Sequence, residues 1–235
     1  MIISKKHNFI YIGIYKTATT SIEQALTNRI NPFRKPQMGT RFVPSVEDPV
    51  VDKDLIGGIT ETQEERHRDI LMAKELYLKE ETEKEWDELF IFSFVRNPFD
   101  LVLSHFNYKK KVINKMLESY PDKKLTTEQE LYLTLDFPDW VKEFGNINFM
   151  PHDHEDQYSV LSDNEDKLLV DDIGRFENLQ EHFNYFMSKI GLPQTKLPHN
   201  NPSEHGHYST YYNDTSKAII SKKFERDIDF FKYSF

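Results

Sequence analysis

Phe9-Ile-Tyr-Ile-Gly-Ile-Tyr-Lys-Thr-Ala-Thr-Thr-Ser21 is the passage from which the architecture can be read. Phe9 to Ile14 is a short β-branched and aromatic run, and at Tyr15 it gives way to a polar, small-residue loop. From Thr20 onward Ile22, Ala25 and Leu26 recur at helical spacing, behind Thr and Ser side chains able to accept the first backbone N–H bonds. The pattern predicts a buried strand, a tight loop and a helix with no gap between them.

The same order returns further on. Leu89-Phe-Ile-Phe-Ser-Phe-Val95 is almost continuously apolar, as a parallel strand buried on both faces must be. It ends at Arg96, and Pro98 then stands where a first helical turn tolerates proline, ahead of the one-sided set Phe99, Val102, Leu103 and Phe106. A third candidate strand, Leu168 to Ile173, precedes a helix over Glu177 to Ile190 carrying Leu179, Phe183, Phe186 and Ile190 on one face, stopped by Gly191 and Pro193. Strands alternating with helices and no internal repeat predict an α/β fold: one P-loop-like domain over residues 1–235, with a central parallel sheet flanked by helices.

The connecting stretches are less regular. Asn31 to Gly58 is rich in Pro and Gly without a sustained period and reads as an irregular excursion. Glu61 to Glu88 is highly charged, with Ile70, Ala73, Leu76 and Tyr77 spaced as the stripe of a surface helix. Lys109 to Lys124 is basic and patternless. Glu128 to Phe144 reads as helical with a break at Phe137-Pro138, and a last helix begins near Asp214 with Ile219, Ile220, Phe224 and Ile228.

Composition narrows the function classes. The 235 residues carry 30 Lys and Arg against 39 Asp and Glu, a net charge of −9, so general duplex-DNA binding is disfavoured and any anion site must be local. The absence of cysteine removes disulfides, thiolate zinc sites and thiol catalysis. Met1 to His7 is polar and lacks a secretory apolar core, and no apolar run approaches the roughly 20 residues of a membrane span, so a cytoplasmic protein without membrane insertion is expected.

Lys16-Thr-Ala-Thr-Thr-Ser21 puts a lysine, hydroxyls and the N–H groups of a helix N-terminus at a strand's carboxyl end, a combination that binds phosphate or sulfate. A nucleotide kinase is one reading, yet its loop requires a glycine just before the lysine, where Tyr15 stands. Arg96, at the second strand's end, and Ser104, about one and a half to two turns into the next helix, are suited to one phosphate. Taken singly, Arg96 is equally explained by an ion pair with Asp100, and Ser104 by a back-bond to its own helix.

Together, these elements resemble the sulfotransferases that use 3′-phosphoadenosine 5′-phosphosulfate, and among them the carbohydrate sulfotransferases and their bacterial relatives. Lys16, Thr17, Ala18, Thr20 and Ser21, with Thr19 in place of a smaller residue, match the loop that grips the 5′-phosphosulfate. Arg96 and Ser104 match the Arg-Asn-Pro-x-Asp-x-x-x-Ser element that binds the 3′-phosphate. Ile173-Gly-Arg-Phe-Glu-Asn-Leu179, Gly191-Leu-Pro193 and Tyr211-Tyr212 resemble the family's carboxyl-terminal course. Tyr15 departs from the usual proline.

The resemblance implies a metal-independent transfer of a sulfuryl group to a hydroxyl of a carbohydrate or other small acceptor. It implies a histidine base between the two phosphate elements, where His67 stands, with His105 as competitor and Glu61 and Glu64 next. Relatives in secretory pathways carry a membrane anchor ahead of the first strand, so the short lead here again points to the cytoplasm. A nucleoside kinase and a nucleotide-binding module without turnover remain the alternatives.

Other groups are secondary candidates: Arg175 as a further anion ligand, His199, His205 and His207 near the donor or acceptor, and Lys109 to Lys111 with Lys115 for an anionic acceptor. His152-Asp-His154 beside Glu155 and Asp156 has metal-ligand chemistry that the transfer does not need.

Overall fold

The structure is a computed structural model, and it describes residues 1–30, 56–57, 67–145, 150–198 and 206–235. In chain order the strands are β1 (Ile2–Ser4), β2 (Phe9–Ile12), β3 (Ile56–Gly57), β4 (Phe90–Val95) and β5 (Asp172–Arg175). The helices are α1 (Thr19–Ile30), α2 (Ile70–Tyr77), α3 (Glu83–Asp87), α4 (Pro98–Ser119), α5 (Thr127–Thr134), α6 (Phe137–Phe144), α7 (Gln157–Leu161), α8 (Leu179–Lys189), α9 (Asp214–Lys223) and α10 (Glu225–Phe231). Two compact units result, each assembled from two stretches of chain: Met1–Val95 with Met150–Pro202, and Arg96–Phe149 with Ser203–Phe235.

The first unit holds one sheet in the order β3-β1-β2-β4-β5. β2, β4 and β5 run parallel, pairing Ile12 with Ser93 and Val95 with Arg175, so their carboxyl ends lie along one edge. β1 is antiparallel to both β2 and β3, an addition that its three residues were too short to announce. Every residue of β2 is buried, as are Ile91 to Val95 of β4, because helices cover the sheet. Ile22, Ala25 and Leu26 of α1 and Phe183, Phe186 and Met187 of α8 pack with Phe9, Tyr11, Phe92 and Phe94 in one core. Phe186 lies with its ring centroid 4.7 Å from that of Phe92 and 5.3 Å from that of Phe94. A Cβ on Gly174 would come within 2.7 Å of the Phe94 ring and 2.9 Å of Phe186, so the aromatic core demands glycine in β5.

β5 begins four residues later than the apolar run predicts. Leu168 instead bridges Ser162, and Leu169 N donates to Leu161 O, in a local return of the chain. At Asp171 a carboxylate stands in for the ladder: Asp171 N donates to Ile91 O, while Ile91 N donates to Asp171 Oδ2 at 2.7 Å. The charged stretch, described from residue 67 on, holds two short helices, α2 and α3, capped by Asp69 and Thr82, and of the stripe residues Ile70, Ala73 and Tyr77 are buried as their spacing predicts while Leu76 is half-buried. The predicted excursion over 31–58 lies outside the described residues, apart from β3.

The second unit is helical. Asn97 caps α4 through its side-chain oxygen, which accepts from Phe99 N at 3.0 Å, and Pro98 occupies the first turn. α4 runs 22 residues, through the basic stretch that shows no hydrophobic period. Lys, Leu, Met and Glu there are good helix formers, and an exposed helix needs no apolar stripe once its first turns are anchored. The expected break near Pro138 falls at Leu135 and Asp136, which caps α6 and leaves Pro138 inside its first turn. Phe106, Tyr132, Phe137, Trp140 and Phe144 form this unit's aromatic core.

Candidate functional site

β2 ends at Ile12, and four residues of turn from Tyr15 to Ala18 lead directly into α1. Lys16 and Ala18 both have left-handed backbones, with φ of 65° and 64°. Neither is glycine, and such residues pay a conformational cost that packing around them must offset. The offset is visible at Ile14, whose carbonyl accepts from Thr19 Oγ1 at 2.6 Å and Thr17 Oγ1 at 2.9 Å, with Thr17 N at 3.4 Å. Thr17, Thr19 and Ser21 are buried, whereas Lys16, Ala18 and Thr20 are partly exposed. The hydroxyl protons of Thr17 and Thr19 therefore point inward and shape the loop. At the start of α1, Ser21 N and Ile22 N both donate to Ala18 O, at 2.9 and 3.1 Å, so the left-handed Ala18 also anchors the first helical turn.

His67 belongs to this loop rather than to a solvent-exposed helix. It is 8% exposed, its ring stands edge-on to Tyr15 with centroids 5.5 Å apart, and its Nδ1 lies 2.9 Å from the Gly13 carbonyl. A carbonyl only accepts, so Nδ1 carries the proton, and in the neutral ring Nε2 carries the lone pair. Two residues on, Asp69 caps α2 through Met72 N and receives His154 Nε2 at 2.8 Å. The sequence carried no signal for that pairing. Among the described residues no group of three or more His, Asp or Glu side chains is arranged to hold a metal, and His154 is committed to Asp69 instead.

Arg175 ends β5 on the edge where β2 and β4 also end, and its backbone N–H donates to His182 Nδ1 at 2.6 Å. Among the histidines of the late loop, His207 caps a short turn over Tyr208–Tyr211, accepting from Ser209 N. His199 and His205 lie outside the described residues, as do Glu61 and Glu64.

In the second unit Arg96 is 3% exposed, and both Nε and Nη2 stand 2.8 Å from Asp100 Oδ2. The ion pair with Asp100 is real, and with the Arg96 side chain buried and that of Asp100 partly so, it orients the guanidinium rather than decorating a surface. Ser104 is buried on α4 and its hydroxyl has no hydrogen-bond partner among the described residues. Ser119, Thr134 and Ser188 do bond back to their own helices, at 3.0 to 3.1 Å. Ser104 does not, and the helix back-bond is thereby excluded as its role. His105 is taken up in the aromatic core, with Nε2 3.0 Å from Tyr132 OH, whose pKa burial pushes far above that of an exposed phenol. Lys110 lies 5.6 Å from the centre of the Phe106 ring, and Lys111 and Lys115 are exposed.

A model of the sulfotransferase family matches residues 1–234, which is essentially the whole chain. The chain belongs to the sulfotransferase family. It is also similar to an uncharacterized protein of Archaeoglobus fulgidus, 29% identical over 111 residues that make up 47% of this chain and 75% of that relative. No solved structure matches it. As a sulfotransferase it is a transferase of an α/β class with helices flanking its sheet, and no helix among the described residues is long and apolar enough to cross a membrane.

Proposed function

We propose that this sulfotransferase takes its sulfuryl group from 3′-phosphoadenosine 5′-phosphosulfate and passes it to a hydroxyl of a carbohydrate or other small acceptor. The observation that carries the reading is the loop after β2, where two left-handed non-glycine residues and inward-turned threonine hydroxyls lead into α1 and Lys16 is partly exposed. In this reading the loop of Lys16, Thr17, Ala18, Thr19, Thr20 and Ser21 holds the 5′-phosphosulfate, while Arg96 and Ser104 hold the 3′-phosphate. Arg175 is kept as a further anion ligand.

The acceptor oxygen attacks sulfur in line, and the bond from sulfur to the bridging phosphate oxygen breaks, with its electron pair leaving on adenosine 3′,5′-bisphosphate. Lys16 stabilises charge as it grows on that bridging oxygen, and Nε2 of His67 takes the hydroxyl proton. The Gly13 carbonyl supports this role, because it keeps the proton of the neutral ring on Nδ1. Catalysis of this kind is mainly positioning and charge stabilisation, as in phosphoryl transfer.

Calorimetric titration with adenosine 3′,5′-bisphosphate and with ATP, each with and without magnesium, separates the readings. Tight, magnesium-indifferent binding of the bisphosphate and weak binding of ATP is expected, and the reverse preference would make the protein a kinase. Incubation with sulfur-labelled donor and a cell extract, followed by mass identification of the labelled product, then names the acceptor; nucleotide binding without any transfer would reduce the protein to a binding module. A cytoplasmic location is part of the proposal, tested by fractionating cells of the source organism.

A further inference from the structure

The reading above leaves one pairing without a task. Capping α2 occupies a single oxygen of Asp69: Oδ1 accepts from Met72 N at 2.8 Å. Oδ2 is met by Nε2 of His154, 85 residues away in sequence, at 2.8 Å, and the two side chains are only 10% and 17% exposed. Desolvation on its own would raise the pKa of Asp69, but the His154 bond and the Met72 N–H outweigh it and hold the carboxyl below its ordinary value. The carboxylate is therefore ionised at neutral pH, and Nε2 of His154 carries a proton toward it.

An ordinary helix cap does not recruit a distant histidine. Here the two residues just before His154, His152 and Asp153, have left-handed backbones with φ of 58° and 60°. The turn thus secured is the one that carries His67. At one end His67 Nδ1 donates to Gly13 O, where the phosphate loop begins, and two residues on Asp69 is gripped by His154. An imidazole keeps one tautomer only as long as its partner stays in place. If the turn shifts, Nδ1 leaves the carbonyl, the ring exchanges tautomers, and Nε2 no longer reliably carries the lone pair.

We propose that His154 is a positioning residue of the transfer site: by holding Asp69 it fixes the 67–69 turn and keeps the His67 proton on Nδ1. The role rests on His67 being the base proposed above. It differs from a catalytic one, since His154 acts through Asp69.

The test uses the full chain, labelled with nitrogen-15, with the His67 signals assigned by their loss in His67→Gln. In the unsubstituted protein at neutral pH, His67 should show a protonated Nδ1 and an unprotonated Nε2. In His154→Ala both signals should move toward exchange-averaged positions. Transfer of label from 3′-phosphoadenosine 5′-phosphosulfate into the acceptor pool of a cell extract should fall about 10²-fold, with the adenosine 3′,5′-bisphosphate Kd changed by less than about two-fold. His154→Gln, which puts an amide N–H near the place of Nε2–H, should recover the His67 tautomer and most of the rate. An unchanged His67 tautomer in His154→Ala overturns the proposal; if the rate still fell, His154 would act on the acceptor itself. Failure of the unsubstituted protein to bind adenosine 3′,5′-bisphosphate would instead sink the donor reading, and the nitrogen signals would still judge the turn.

Discussion

The loop over Lys16 to Ser21 and the segment from Arg96 to Ser104 are both strand-to-helix junctions, and they use their polar side chains in opposite ways. In the first, Thr17 and Thr19 turn their hydroxyls inward to Ile14 O, two residues are left-handed, and Ser21 N and Ile22 N donate to Ala18 O. In the second the backbone is ordinary helix behind an Asn97 cap. Arg96 is oriented by Asp100, and Ser104 has no protein partner among the described residues. The difference teaches that a motif's hydroxyls are not interchangeable. Those of Thr17 and Thr19 build the loop, and that of Ser104 makes no protein hydrogen bond among the described residues, which suits the binding role proposed for it.

The largest effect expected is at Lys16, proposed above to act on the charge of the leaving group. Lys16→Ala should lower turnover by about 10²- to 10³-fold while donor affinity falls much less, because charge on the bridging oxygen develops only in the transition state. Normal turnover with a raised donor KM alone would make the two junctions alike, both simple binders. Arg96→Ala comes next and should weaken adenosine 3′,5′-bisphosphate by about 2 to 4 kcal/mol with adenosine 5′-phosphate barely affected. Equal weakening of both ligands would break the assignment to the 3′ end.

The sharpest form of the comparison pairs two hydroxyl deletions. Ser104→Ala should cost about 1.5 to 3 kcal/mol in bisphosphate affinity and leave the denaturant midpoint unchanged, since no protein hydrogen bond is lost. Thr19→Val should do the opposite, removing about 1 kcal/mol of stability with the loss of its bond to Ile14 O. A Ser104→Ala protein that unfolds more easily, or a Thr19→Val protein of full stability, would show that the hydroxyls had been assigned the wrong way round.

The smallest effect is the acid limb of stability contributed by Asp69. Its folded pKa lies below the ordinary value of 3.8, so its ionised form favours the folded state at all higher pH. That contribution is lost as pH falls through 3.8 and the lower folded value. Asp69→Asn should therefore be less stable than the unsubstituted protein at neutral pH and converge on it in acid. Parallel stability curves down to pH 2 would mean that the carboxylate gains nothing from His154 and Met72.

Sequence alone determined what is local. Buried parallel strands must be apolar without interruption and helices must cap their first N–H groups, so Phe9 to Ser21 and Leu89 to Ser104 were legible as strand, loop and helix before any contact was known. The limit shows at β5, where Leu168 to Asp171 has strand composition but Asp171 spends its carboxylate on Ile91 and delays the ladder. It shows again in α4, whose outer turns follow from helix propensity and carry no hydrophobic period. What only tertiary structure decided is non-local hydrogen bonding. That His67 is buried against Gly13, 54 residues back, and that His154 reaches Asp69 follow from no spacing in the chain, because a histidine's partner is chosen by the fold and not by its neighbours in sequence.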